Sequence, residues 1–110
     1  MNYTTEINEI DTTIIVTTTG DLKTTETAEM GLLIRLQALD LKYKIIFDFS
    51  LSKNFISCGE AYFWFADYYD GINIKFRRIP TAIITNANDA DFFEFYENTC
   101  YNRGIQLKMF

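Results

Sequence analysis

The residues best suited to chemistry lie in one short segment, Asp48–Glu60, which follows an apolar run at 43–47. The run predicts a buried strand, and the next helix is predicted to open at Ser57. The first backbone N–H groups of a helix have no partner within it and favour negative charge there. Ser57 is therefore predicted to be a phosphate-bearing or anion-facing position. Ser57-Cys-Gly-Glu60 also has the form of an ordinary capping box, so capping alone remains the alternative.

Other chemistry is poorly supported by the residue types. The chain contains no histidine, which removes the commonest general base and metal ligand and, with them, Ser-His-Asp and Cys-His catalysis. Cys58 and Cys100 form no CxxC pair, and an inert, half-buried Cys58 is favoured over a reactive one. No calcium loop, phosphate loop, dinucleotide motif or nucleophile elbow occurs. We therefore predict no enzymatic activity, no catalytic residue, no cofactor and no metal.

Length, charge and hydropathy restrict the class of protein. A chain of 110 residues predicts one domain, 1–110, with a core of its own. The net charge of −5 argues against nucleic acid as a partner, because phosphate binding needs clustered lysine and arginine. No apolar run approaches the roughly 18–20 residues of a membrane span. The first residues also lack the features of a signal peptide, so we expect a cytoplasmic protein.

Hydrophobic periodicity predicts the order β-β-α-β-α-β-α-β. The predicted strands are 4–10, 12–19, 43–49, 81–86 and 105–110, and the predicted helices are about 25–40, 57–70 and 89–103. Helices between strands imply right-handed crossovers, and so an α/β fold with a mainly parallel sheet covered by helices. The strand at 43–49 is expected to be covered on both faces. Thr24 or Thr25 is expected to cap the first helix, Gly71 to stop the second, and Asn88 to cap the third.

This order of elements, together with the loop after Asp48, resembles the STAS domain, the family of sulfate transporters and anti-sigma-factor antagonists. Asp48-Phe-Ser50 is similar to the family's Asp-Leu-Ser-like strand end, and Ser57-Cys-Gly59 falls without a gap at its Asp-Ser-Ser-Gly-like turn. Gly20-Asp21-Leu22 resembles the Gly-Glu/Asp-Leu step after the second strand. The chain also looks similar to the divergent SpoIIAA-like branch. It differs at Ile56, where the family has an acidic residue, and at Cys58, where it has a second serine.

The resemblance implies a non-enzymatic regulatory domain that binds a protein. In regulatory members, the serine at the position of Ser57 is phosphorylated by a partner kinase that is also an anti-sigma factor. The resemblance thus implies a phosphoserine switch at Ser57 and a protein partner of the kinase or anti-sigma type. The residues that this hypothesis assigns to the phosphoacceptor and partner-binding site are Ser57, Cys58, Gly59, Glu60, Asp48 and Ser50.

Aromatic residues crowd the second and third predicted helices. The segment 61–69 carries six of them, more than the single apolar face of a helix on a sheet requires. They could fill the core, form a protein-binding or homodimer face, or line a cleft for an apolar molecule. Tyr62, Phe63 and Tyr69 diverge from the core face and are the predicted ligand or interface residues. A carrier or sensor of a lipid-like molecule is therefore the alternative function.

Overall fold

The computed structural model describes residues 1–64 and 74–110. The strands of this part are β1 (Asn2–Asn8), β2 (Thr13–Leu22), β3 (Lys44–Asp48), β4 (Ser52–Asn54), β5 (Thr81–Ile84) and β6 (Leu107–Met109). The helices are α1 (Thr24–Leu41), α2 (Cys58–Trp64) and α3 (Ala90–Asn102), with 3₁₀ turns at Ile74–Arg78 and Ala87–Asp89. The predicted continuation of the second helix to 70, and its stop at Gly71, lie outside the described residues.

The sheet confirms an α/β fold with mainly parallel pairing. Its strand order is β1-β2-β3-β5-β6, and β4 pairs separately with β2. Only β1 runs antiparallel to its neighbour among these strands, and the other pairings are parallel. In the parallel part, Ile14 is aligned with Ile45, and Ile45 with Thr81. The sequence missed the three-residue strand β4, which is too short to show a periodicity of its own.

The end of β2 corrects a second prediction. The strand was expected to stop at residue 19, but it continues through Gly20 to Leu22. Gly20 has φ +86°, a conformation that costs glycine little because it has no Cβ. Beyond this point β2 leaves β3 and pairs with β4, with Gly20 opposite Ser52 and Leu22 opposite Asn54. The bend therefore holds the segment after β3 against the end of β2.

Helices cover one face of the sheet in the described part of the chain. The strands advance in one direction from β2 to β6, and right-handed crossovers of that kind place their helices on the same side. The residues buried on this helix face are Ile14, Val16, Thr18, Ile45, Phe47, Thr81 and Ile83. On the other side, the open face, Ile15, Ile46 and Ala82 are partly exposed and Ile84 is exposed. The prediction that the strand at 43–49 is covered on both faces was therefore wrong for the described residues.

Two of the predicted helix caps were also wrong. Lys23 occupies the N-cap of α1 without a side-chain hydrogen bond, and Thr24 is already inside the helix. Asn86, rather than Asn88, caps the turn before α3, since its Oδ1 accepts a hydrogen bond from the backbone N–H of Asp89 at 3.1 Å. A 3₁₀ turn inserted before α3 moves the cap two residues toward the N-terminus.

Candidate functional site

Ser57 and Glu60 form the predicted capping box at the start of α2. The Ser57 hydroxyl accepts a hydrogen bond from the backbone N–H of Glu60 at 3.1 Å. The Glu60 carboxylate accepts one from the backbone N–H of Ser57, also at 3.1 Å. All four residues from Ser57 to Glu60 are exposed, so Cys58 and Gly59 present their atoms to solvent beside the serine.

Glu60 also joins α2 to the start of α1. Its second carboxylate oxygen, Oε2, accepts a hydrogen bond from the hydroxyl of Thr24. This bond from Thr24 is the largest cause that lowers the pKa of Glu60, and the bonds from the backbone and side chain of Ser57 lower it further. These hydrogen bonds favour the ionised form of Glu60. Through them, its carboxylate joins Ser57 at the start of α2 to Thr24 of α1.

Asp48 and Ser50 form a local turn after β3. Asp48 Oδ1 accepts hydrogen bonds from the backbone N–H of Ser50 at 3.0 Å and from its hydroxyl at 2.6 Å. Both residues are half-buried. Their side chains thus shape the loop that leads to Ser57, and the described contacts do not bring them against the Ser57 hydroxyl.

A chain of polar contacts fastens this loop to the carboxyl edge of the sheet. Ser52 shares a hydrogen bond of 2.7 Å with Thr18 through its hydroxyl, and its backbone carbonyl accepts another of 2.7 Å from the amide of Asn86. Asp89 then accepts hydrogen bonds from the amide of Asn86 and from the backbone N–H of Asn54. Sequence spacing does not reveal this network, because three of its four hydrogen bonds join residues that are 34 or 35 positions apart along the chain.

An open groove of about 670 Å³ lies next to the capping box. We name it the Ser57 groove, after the serine whose capping-box partner, Glu60, lies in its wall. Its lining residues are Asp21, Lys23, Thr24, Thr25, Glu26, Phe55 and Glu60. Phe55 is 52% exposed, and the ammonium group of Lys53 lies 5.1 Å from the centre of its ring. The groove therefore offers an apolar contact among charges of both signs, which is the composition of a protein-binding surface more than of a closed ligand pocket.

Phe55 and Lys53 were missed by the sequence reasoning. The available signal was an aromatic residue two positions after a lysine in the predicted loop between the third strand and the second helix. The lining residues from the start of α1 reach the groove through the tertiary contact between Thr24 and Glu60, which sequence spacing does not reveal.

The two thiols occupy opposite environments. Cys58 is exposed, which corrects the prediction that it is half-buried, because the first turn of α2 stands away from the core. Cys100 is fully buried on α3, and burial raises the pKa of its thiol to about 12. The only cysteine near the Ser57 groove is therefore also the accessible one.

Of the predicted aromatic interface residues, only Tyr62 can be placed. It is 50% exposed, and the guanidinium of Arg103 lies 5.3 Å from the centre of its ring. The same guanidinium donates a hydrogen bond of 3.3 Å to the backbone carbonyl of Tyr62. The side chain of Phe63 and the whole of Tyr69 lie outside the described residues.

A small internal cavity lies between the helix face and the helices. Its volume is about 30 Å³, and its walls include Met30 and Arg35 of α1, Phe47 of β3 and Phe93 of α3. Sites for drug-sized ligands occupy about 300–1,000 Å³. This cavity is smaller than that and has room for about one or two water molecules.

The described residues contain no group of three or more cysteines, aspartates and glutamates placed to hold a metal ion. Across the same ranges, no helix is both long and apolar enough to pass through a bilayer. Comparison of the chain with protein-family models, curated proteins and solved structures gives no match.

Proposed function

We propose that this chain is a non-enzymatic, regulatory protein-binding domain of the STAS or anti-sigma-factor-antagonist type, with the Ser57 groove as its partner surface. The observation that carries the proposal is the exposed capping box of Ser57 and Glu60, bonded to α1 beside an open groove with an exposed phenylalanine. A surface of this kind suits a protein partner, because an aromatic side chain among polar groups is typical of interface centres.

The resemblance supports the kind of partner. The segment from Asp48 to Gly59 is similar to the family's phosphoserine loop, and the order of helices and strands is compatible with that architecture. A partner that is both a kinase and an anti-sigma-like regulator follows from this resemblance. A cytoplasmic location belongs to the same proposal, since the two free cysteines suit a reducing compartment.

Phosphorylation of Ser57 would act through Glu60. A phosphate adds about two negative charges to the Ser57 hydroxyl, whose oxygen contacts the backbone N–H of Glu60. The Glu60 carboxylate is bonded to the backbone N–H of the same serine, so like charges would be brought close together. Repulsion would weaken the bond between Glu60 and Thr24, which joins α2 to α1 at the Ser57 groove. The switch would therefore change the binding surface without unfolding the domain.

A capture experiment from a lysate of the native host tests the proposal. The baits are the wild type, Ser57→Asp and the matched control Ser57→Asn, because Asp and Asn are helix caps comparable to Ser and only Asp adds charge. We expect one partner to be retained by the wild type and Ser57→Asn and lost with Ser57→Asp. Phe55→Ser, which removes the exposed aromatic ring of the groove, should also lose it. Identical partners on all four baits would refute the proposal.

A further inference from the structure

The two edge strands of the sheet, β1 and β6, differ in how well they are protected from pairing with another chain. The β6 edge is three residues long and carries Lys108. One of its outward backbone N–H groups, that of Met109, donates a hydrogen bond of 2.6 Å to the carboxylate of Glu97. Short length, a lysine and a side chain on the backbone are devices that prevent an edge strand from pairing with another chain. The β6 edge is therefore blocked.

The β1 edge has none of these devices. It is seven residues long, six of them are exposed, and among the described strands β2 is its one neighbour in the sheet. The strand contains no proline and no lysine, and Glu6 is its only charged residue. Tyr3 and Ile7 are 41% and 43% exposed. An edge of this length with so little protection favours the addition of another strand.

We propose that β1 pairs antiparallel with β1 of a second copy of this chain, around a two-fold axis at Thr5, to form one continuous sheet. All seven residues of the strand then have partners. On the helix face, Tyr3 lies opposite Ile7 of the partner subunit, and an aromatic beside a β-branched residue is a favourable cross-strand pair. Within each copy Ile7 is aligned with Ile14 of β2, so the new pair extends the buried row of the core.

The charge of Glu6 favours one register of the antiparallel pair over the others. With the axis at Thr5, Glu6 lies opposite Thr4 of the partner subunit, and no charge faces a like charge. The side chains of the two copies stay on matching faces only when the register shifts by two residues, and such a shift moves the two-fold axis by one residue. A move that centres the axis on Glu6 sets two carboxylates directly opposite each other, and one centred on Thr4 leaves the end of the strand unpaired. The strand is thus complementary to itself in one full-length register.

Two lysine substitutions on adjacent exposed residues test this register. Thr5→Lys sets two lysines opposite each other across the axis, whereas the control Thr4→Lys sets each lysine opposite Glu6 of the partner subunit. By sedimentation over a concentration series at low ionic strength, we expect the wild type to reach twice the 12.8 kDa of one chain. Thr5→Lys should raise the dimer Kd about fivefold, and Thr4→Lys should leave it unchanged or lower it.

Mixing two variants of opposite charge at position 5 should restore the dimer. Thr5→Lys and Thr5→Glu should each dimerise poorly alone, and should form a mixed dimer when combined, because opposite charges then meet at the axis. Thermal unfolding of each variant checks that the fold is intact. A wild type that stays monomeric up to the highest attainable concentration would overturn the proposal, as would a dimer that responds equally to Thr4→Lys and Thr5→Lys or one without rescue in the mixture.

Discussion

At the scale of single residues, Glu60 makes the stability of the Ser57 site depend on pH. Hydrogen bonds from Thr24 and then from Ser57 lower the pKa of Glu60 in the folded chain. A group whose pKa is lower in the folded state stabilises the fold above its unfolded pKa. That contribution is lost as the pH falls through the ordinary glutamate range, near about pH 4, and on through the lower folded pKa.

We therefore expect Glu60→Gln to make stability less sensitive to acid. Denaturant unfolding of the wild type and Glu60→Gln at pH 7 and pH 3 measures the difference. The wild type should be the more stable of the two at pH 7, and this advantage should shrink at pH 3. An advantage that is equal at both pH values would show that the Glu60 carboxylate has no such role.

The two cysteines give a second prediction at this scale. Cys58 is exposed, while Cys100 is buried with a pKa raised to about 12. Because the thiolate is the reactive form, a disulfide reagent at pH 8 should titrate one thiol quickly and the second only on unfolding. Cys58→Ser should remove the fast phase and leave the slow one. Two fast thiols in the folded wild type would contradict the burial of Cys100.

At the scale of elements, the two faces of β3 differ in burial: helices cover one face and the other is open. Ile45 is 1% exposed on the helix face, and Ile46 is partly exposed on the open face. Ile45→Ala should lower the free energy of unfolding by about 2–5 kcal/mol, as truncation of a buried isoleucine does. Ile46→Ala is the matched control and should cost less than half as much. Equal losses in a urea titration would indicate that both faces of β3 are covered.

Local signals in the sequence predicted the long elements and the start of α2. The bounds predicted for the first helix, about 25–40, agree with α1, and Ser57-x-x-Glu60 matched the capping box, because a capping box acts within a few residues. What the sequence did not reveal depends on distant partners. β4 exists because Gly20 bends β2 toward Ser52, and Asn86 is a cap that also holds the carbonyl of Ser52. The bonds that complete the site are made between segments that periodicity treats separately.

At the scale of the whole molecule, the strand order accounts for two exposed parts of the sheet, its open face and its β1 edge. A strand order that advances in one direction leaves the open face uncovered by the described helices, and it sets β1 at the end of the sheet. The Ser57 groove lies instead where the starts of α1 and α2 meet. The two proposals therefore assign the Ser57 groove to a regulated protein partner and the β1 edge to a second copy of the chain.

The central claim is that charge at position 57 controls binding of a protein in the Ser57 groove. The measurement that tests it most directly is the Kd of the captured partner for Ser57→Asn and Ser57→Asp, by calorimetry at low and high salt. We expect the Kd for Ser57→Asp to be at least about tenfold higher, which corresponds to about 1.4 kcal/mol, and the difference to shrink as salt screens the charge. Equal Kd values for the two variants would contradict the claim and leave Ser57 as a helix cap.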